Sequence, residues 1–262
     1  MNSILLHEVK DKSEILTFNT PEKLNVLSEE MLKELSAALK QCASNQSTHV
    51  VILRSTGKAF CAGHDLKQMQ NERNAPDKGL KYFNKLFNQC SKVMMQIKNL
   101  PKPVVAEVQG VATAAGCQLV ATCDIAVASN IARFGVNGVN IGLFCSTPMV
   151  ALSRNIGRKK TFEMLVTGDF MTASEAKESG LINHVVSVEE LSAKTDELAS
   201  KISEKFKRVV KIGKKAFYEQ AEMKLENAYD YTAKIMAENM VLDETIEGIS
   251  AFIEKRDSKW TE

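Results

Sequence analysis

The chain has 262 residues, of which 44% are hydrophobic and 25% charged, a globular mix that argues against disorder and suits one large α/β unit. Net charge is +2 and the lysines and arginines are dispersed, so the clustered basic footprint of a nucleic-acid binder is absent. The uncharged stretch from Phe134 to Ser153 approaches the ~20 residues of a membrane span, but its glycines, Asn137, Asn140 and Pro148 interrupt it, and no bilayer crossing is expected.

In chain order, the opening "MNSILLHEVKDKSE" has no basic segment ahead of a sustained apolar run and carries acids that an import presequence lacks, so a cytoplasmic protein is expected. "SILLHEV" and "SEILTFN", separated by the polar "KDK", predict a hairpin. "SEEMLKELSAALKQC" predicts a helix capped by Ser28, with Met31, Leu32, Leu35 and Leu39 on one face. "HVVILRS" then predicts a strand covered on both sides. The segment "TGKAFCAGHDLKQM" reads as a loop tipping into a short helix near Asp65, and residues 77–98 read as helix, ended by Pro101 and Pro103.

A strand "VVAEVQG", a helix "TAAGCQLVATC", a strand "DIAVAS" and an irregular loop "FGVNGVNIGLFCSTP" follow, an alternation that assigns the α/β class. Beyond residue 146 the pattern is mostly helical around a short strand "LINHVV", and the last 55 or so residues predict two or three amphipathic helices. The division expected is a core over residues 1–204 and a helical region over 205–262. The six cysteines, Cys42, Cys61, Cys90, Cys117, Cys123 and Cys145, form no CxxC pair, so buried reduced thiols are expected in place of a zinc site or a disulfide framework, and no metal is assigned.

Several familiar motifs are missing. "GVATAAG" spaces its glycines wrongly for GxGxxG, and there is no GxxxxGK[ST], GxSxG or HExxH, which sets aside dinucleotide, NTP, serine-esterase and zinc-protease chemistry. Two loops instead place small residues ahead of a helix: "CAGHD" before "LKQM", and "TAAG" before "CQLVATC". Backbone N–H groups at such helix starts are unpaired and partly positive. Two of them converging on one point would hold an oxygen that gains negative charge, while the plainer alternative is tight helix–sheet packing.

The blocks "GKAFCAGHDLKQM", "KPVVAEVQGVATAAGCQLVATCDIAVAS", "FGVNGVNIG" and "LVTGDFMTASEAKESGLINHVV" stand in an order and spacing that resemble the enoyl-CoA hydratase/isomerase (crotonase) superfamily, with "TPEKLNVLS" before them and "GISAFIEKR" after. The resemblance implies a ClpP/crotonase-like spiral of ββα turns with a C-terminal helical trimerisation region, assembled as a homotrimer or a dimer of trimers. It implies an acyl-CoA thioester as ligand, coenzyme A entering as part of the substrate and no separate cofactor.

The thioester oxygen would be held by the N–H groups of His64 and Ala115. The family's CoA contacts map onto Lys23, Leu24, Ala62, Asp65, Leu66 and Lys67, and onto Phe252 and Lys255, which would reach a neighbouring subunit's nucleotide.

Hydration of an enoyl thioester uses two carboxylates, one on water and one on the α-carbon. At the two family positions this chain has Gln118 and Gly138. No Asp or Glu occurs from Ile125 to Phe162, and between Lys78 and Phe162 only Glu107 and Asp124 are acidic. Asp124 suits a structural cap and Glu107 a paired carboxylate. Cys145 suits pocket lining, Asn137 and Asn140 loop hydrogen bonding. His64 is the remaining titratable side chain. Three functions stay open: a weak enoyl-CoA hydratase, a malonyl-type acyl-CoA decarboxylase or isomerase, and a CoA-thioester-binding protein without catalysis.

Overall fold

β1 (Leu5–Lys10) and β2 (Ser13–Phe18) pair antiparallel from Leu5↔Phe18 to Lys10↔Ser13, and the turn places Asp11 at φ 53. A two-residue hairpin turn needs that left-handed backbone, which aspartate tolerates. In α1 (Glu29–Ser44) the Ser28 hydroxyl accepts the Met31 N–H, and Met31, Leu32, Leu35, Ala38, Leu39 and Cys42 are buried, the predicted face. The structure is a computed structural model that describes residues 3–259, and the chain divides into two compact units, residues 1–200 and 201–262.

In the first unit the chain continues through β3 (Val50–Ser55), β4 (Ala59–Cys61), α2 (Leu66–Glu72), α3 (Leu80–Asn99), β5 (Val104–Val108) and β6 (Val111–Thr113). Next come α4 (Ala115–Thr122), β7 (Ile125–Ser129), β8 (Arg133–Gly135), α5 (Pro148–Asn155) and α6 (Arg158–Thr167). β9 (Phe170–Thr172), α7 (Ala173–Glu178), β10 (His184–Val186) and α8 (Leu191–Ser203) follow, the last running past residue 200.

The strands form a six-stranded sheet in the order β1-β2-β3-β5-β7-β10 and a four-stranded sheet in the order β4-β6-β8-β9. Both are parallel except at β1–β2 and β8–β9. Each odd strand from β3 to β7 lies in the large sheet and the even strand after it in the small one, so every turn advances one place in both. This is the ββα spiral. Leu16, Phe18, Leu53, Phe60 and Phe134 are fully buried in its core. Strands covered on both faces read as unbroken apolar runs, as "HVVILRS" does.

The small sheet departs from the sequence-based expectation. β4, β6, β8 and β9 have three residues each and fall in stretches read as loop or helix or left without an element. Three residues are too few to show a period of two, so pairing partners, and not local pattern, make these strands.

Under the large sheet, buried Glu14 has both oxygens engaged. Oε2 meets His7 Nε2 at 2.7 Å, and Oε1 accepts from Thr48 at 2.6 Å and from buried Lys102 at 3.3 Å. Burial alone would raise its pKa, but hydrogen bonds from Thr48, Cys42 and His7 and the charge of Lys102 hold it down at about 2. The six cysteines are all buried and none forms a disulfide, as expected.

The second unit contains α9 (Lys207–Gln220), α10 (Leu225–Met240) and α11 (Asp243–Glu254). Leu225, Tyr229, Met236, Phe252 and Ile253 are exposed large apolar side chains on them. Among the described residues no helix is long and apolar enough to cross a membrane.

Candidate active site

The early loop is built by Asn25. Its buried side chain accepts the Thr20 N–H at 2.9 Å and donates to the carbonyls of Thr56 at 2.8 Å and Ala59 at 2.9 Å. Leu24 and Asn25 take left-handed backbone at φ 56 and 53. The loop is then stitched to the first close-approach segment: Ala62 N–H donates to Leu24 C=O at 3.1 Å, and Leu27 N–H donates to Gly63 C=O at 2.7 Å. Lys23 and Leu24 are thereby brought beside Ala62, Gly63 and His64, which the sequence separates by some forty positions.

Leu27 and His64 form a parallel bridge. Because the Gly63 carbonyl takes the Leu27 N–H, the His64 N–H faces away from that partner and meets no acceptor among the described residues. Gly63 sits at φ 90, and a Cβ there would lie 3.0 Å from the Ala114 Cβ and 3.4 Å from the Ala115 nitrogen. The two small-residue loops therefore touch backbone to backbone. A Cβ on Gly116 would stand 2.1 Å from the Cys61 carbonyl oxygen, which seats the start of α4 directly on β4.

Ala114 precedes α4 at φ 49, ψ −119, a strained conformation for a residue with a Cβ, fixed by its N–H donating to Gly135 C=O at 2.9 Å. Ala115 is then the first residue of α4, and its N–H has no acceptor among the described residues.

Gln118 is one turn further along α4 and 4% exposed, with its Oε1 buried and unpartnered among the described residues. Helical side chains lean toward the N-terminus, so it rises over the Ala115 end. The His64 Nδ1 meets the Leu27 carbonyl at 3.2 Å, a contact in which the ring nitrogen must be the donor. Its Nε2 is buried with no partner among the described residues, and the ring packs edge-on against Phe87 of α3 at 5.5 Å between centroids. Burial lowers the His64 pKa, opposed by the Leu27 hydrogen bond. Phe87, and Tyr82 with its own buried, unpartnered hydroxyl, carry no sequence signal beyond the apolar spacing of α3.

Gly138 lies in a 3-10 turn, Asn137–Ile141, and a Cβ on it would stand 2.3 Å from the Leu143 carbonyl oxygen and 2.8 Å from the Cys145 Sγ. Asn137 accepts the Thr113 hydroxyl at 2.6 Å, a loop hydrogen bond as expected. Burial pushes the Cys145 thiol pKa up, with partial relief from a Gly138 hydrogen bond, and Cys61 and Cys117 are pushed up to about 12, so none is an activated nucleophile.

The acids that the sequence singled out are occupied. Asp65 caps α2 by accepting the N–H groups of Lys67 at 2.9 Å and Gln68 at 3.1 Å, Asp124 accepts the Val104 N–H at 2.6 Å, and Glu107 accepts the Ser192 hydroxyl at 3.1 Å. Leu66 and Lys67 are exposed at the start of α2. Phe252 and Lys255 belong to the second unit, at the end of α11, where both are exposed.

Residues 12–262 match the family described as enoyl-CoA hydratase/isomerase. The chain is 45% identical to human (Homo sapiens) enoyl-CoA hydratase domain-containing protein 3, mitochondrial, over 94% of its own length and 80% of that protein. Its fold matches a crystal structure of an enoyl-CoA hydratase from Mycobacterium smegmatis with TM-score 0.95 and 49% identity, covering 99% of each chain. It also matches the crystal structure of human enoyl Coenzyme A hydratase domain-containing protein 3 with TM-score 0.93 and 43% identity, over 98% of this chain and 100% of that one.

The curated relatives of this kind are named mitochondrial, which overturns the cytoplasmic expectation. An organelle address resides in a removable segment, so the composition of residues belonging to the folded body does not report it. From the spiral fold and the matched sequence together, the chain belongs to the enoyl-CoA hydratase/isomerase (crotonase) superfamily.

Proposed function

We propose that this protein binds acyl-CoA thioesters and hydrates trans-2-enoyl-CoA slowly, through an enolate whose oxygen is held by the N–H groups of His64 and Ala115. The observation that carries this reading is the close approach of the two loops at Gly63 and Ala115, with the His64 and Ala115 N–H groups both without an acceptor among the described residues. Each donor of this kind contributes about 2.7–4 kcal/mol to a developing oxyanion. Lys23, Leu24, Ala62, Asp65, Leu66 and Lys67 form the CoA side of the proposed site, with Phe252 and Lys255 serving a neighbouring subunit. Assembly as a trimer or a dimer of trimers would cover the exposed apolar side chains of α9–α11, and sedimentation velocity reads it directly.

Purified protein with crotonyl-CoA and longer enoyl-CoAs tests the reaction by loss of enoyl absorbance. Binding of CoA esters with no turnover above background removes the hydratase reading and leaves a thioester-binding protein. Decarboxylation of a malonyl-type CoA is a second reading, favoured by the closed position at Gly138, because losing carbon dioxide generates the enolate without a general base. Carbon dioxide release from malonyl-CoA or methylmalonyl-CoA distinguishes it.

A further inference from the structure

The two positions where the superfamily resemblance places acids hold Gln118 and Gly138, and the second admits no side chain at all. The other acids that the sequence offers are engaged: Asp65 in the α2 cap, Asp124 on Val104, Glu107 on Ser192. The thiols of Cys61, Cys117 and Cys145 are held protonated by burial. The Tyr82 hydroxyl is also buried and unpartnered, but burial pushes it up to about 12, so among the described residues the His64 imidazole is the group left to exchange a proton near neutral pH.

Its geometry suits that role. With Nδ1–H committed to the Leu27 carbonyl, the neutral ring presents Nε2 as a lone pair, and that atom is buried without a partner. The same is true of Gln118 Oε1, one turn along the helix that begins at the second donor. A buried acceptor without a donor costs free energy unless something that binds there supplies an O–H or N–H. Two such acceptors, carried by the segments that carry the two donors, are groups that would take the O–H bonds of a water molecule.

We propose that the His64 imidazole moves the proton in this site, while the Gln118 amide oxygen orients the attacking water. The inference rests on the hydratase reading. Water adds through its oxygen to the β-carbon as its O–H bond breaks and Nε2 takes the proton. The electron pair of the C=C bond moves to the thioester oxygen, held as an enolate by the His64 and Ala115 N–H groups. The imidazolium then returns its proton to the α-carbon, so one water is consumed and His64 ends neutral.

The ring is set against the Leu27 carbonyl and the Phe87 ring, and no charged side chain contributes to its shift. Asp65 next to it faces the α2 amides, and Glu29, the first residue of α1 two positions after Leu27, pairs with Lys85 of α3 at 2.8 Å.

His64→Ala and His64→Gln remove the imidazole and keep the backbone N–H. Both are compared with wild type in crotonyl-CoA hydration and in exchange of the α-hydrogens of butyryl-CoA in D2O, with circular dichroism to confirm folding. The expected result is a loss of about 10²-fold or more in kcat and in exchange, the range of a general acid–base group, with KM little changed. Wild-type kcat/KM should fall at low pH with one proton, below the usual histidine range, and the variants should lack that limb. Variants that keep wild-type kcat and its low-pH limb overturn the proposal and leave hydration standing. A wild type that binds butyryl-CoA but neither hydrates nor exchanges overturns the proposal and the hydratase reading together.

Discussion

Gly138 is closed by Leu143: the Leu143 N–H donates to the Gly138 carbonyl at 2.9 Å, and its own carbonyl oxygen occupies the space within 2.3 Å of where a Cβ would stand. The missing acid at this position is therefore a property of the loop, and a substitution alone does not restore it. Gly138→Glu is expected to gain no hydration and to lower stability by about 1–3 kcal/mol through overpacking. Thermal unfolding with enoyl-CoA turnover checks both, and a gain in turnover would show that the loop yields.

Gln118 presents the opposite case, since its side chain already fits. Gln118→Glu would place a carboxylate one turn from Ala115, and hydration at pH 8 is expected to rise by about 10²-fold. Burying that carboxylate without a partner should cost about 3–5 kcal/mol, read as a lower unfolding midpoint. A variant that folds and gains nothing would mean that the amide position does not face the reacting carbons.

The backbone donor and the imidazole of His64 can be separated. His64→Ala keeps the N–H and His64→Pro removes it, so their ratio isolates the donor, with an expected further loss of about 10²–10³ in kcat. Equal activity in the two folded variants would remove His64 from the proposed oxyanion site.

Ala114 is held at φ 49 immediately before the other donor. Ala114→Gly should relieve strain of about 1–3 kcal/mol, offset in part by about 0.5–1 kcal/mol of backbone entropy. The expected outcome is a slightly higher melting temperature with lower kcat, because a looser loop positions the Ala115 N–H less well. A drop in melting temperature would contradict the strain argument.

Glu14 ties stability to pH. Its carboxyl is held at about 2, below its ordinary 4.5, so the charged form is favoured in the folded chain. The stabilisation is complete above pH 4.5 and is lost as pH falls through about 2, and unfolding midpoints in urea over that window should record it. Lys102→Met would leave the carboxylate buried beside one fewer cation, at an expected cost of about 3–5 kcal/mol.

The long elements were legible because each repeats its pattern: α1 shows its buried face, and β3 and β5 their unbroken apolar runs. The small sheet was not, because β4, β6, β8 and β9 exist through pairing with partners up to some fifty residues away. At the site, the composition of residues 125–162 already showed that no acid was available there. What it could not show was that Leu143 closes Gly138, that Ala114 is strained, or that the His64 ring is fixed by Leu27 and leaves Nε2 unpaired. Those facts depend on loops whose shape follows from distant contacts.

The two hydrogen bonds that stitch Leu24 to Ala62 and Leu27 to Gly63 make the early loop and the first donor one mechanical piece. A CoA thioester held at Lys23 by its phosphates, as proposed, would act as a handle on the carbonyl end. Binding energy of that kind appears in the rate and not only in affinity. On the proposed acyl-CoA reading, a crotonyl thioester of pantetheine, which lacks the nucleotide, should lose kcat as well as raise KM, because the loop at residues 24–27 would pass the nucleotide's pull to the proposed donors.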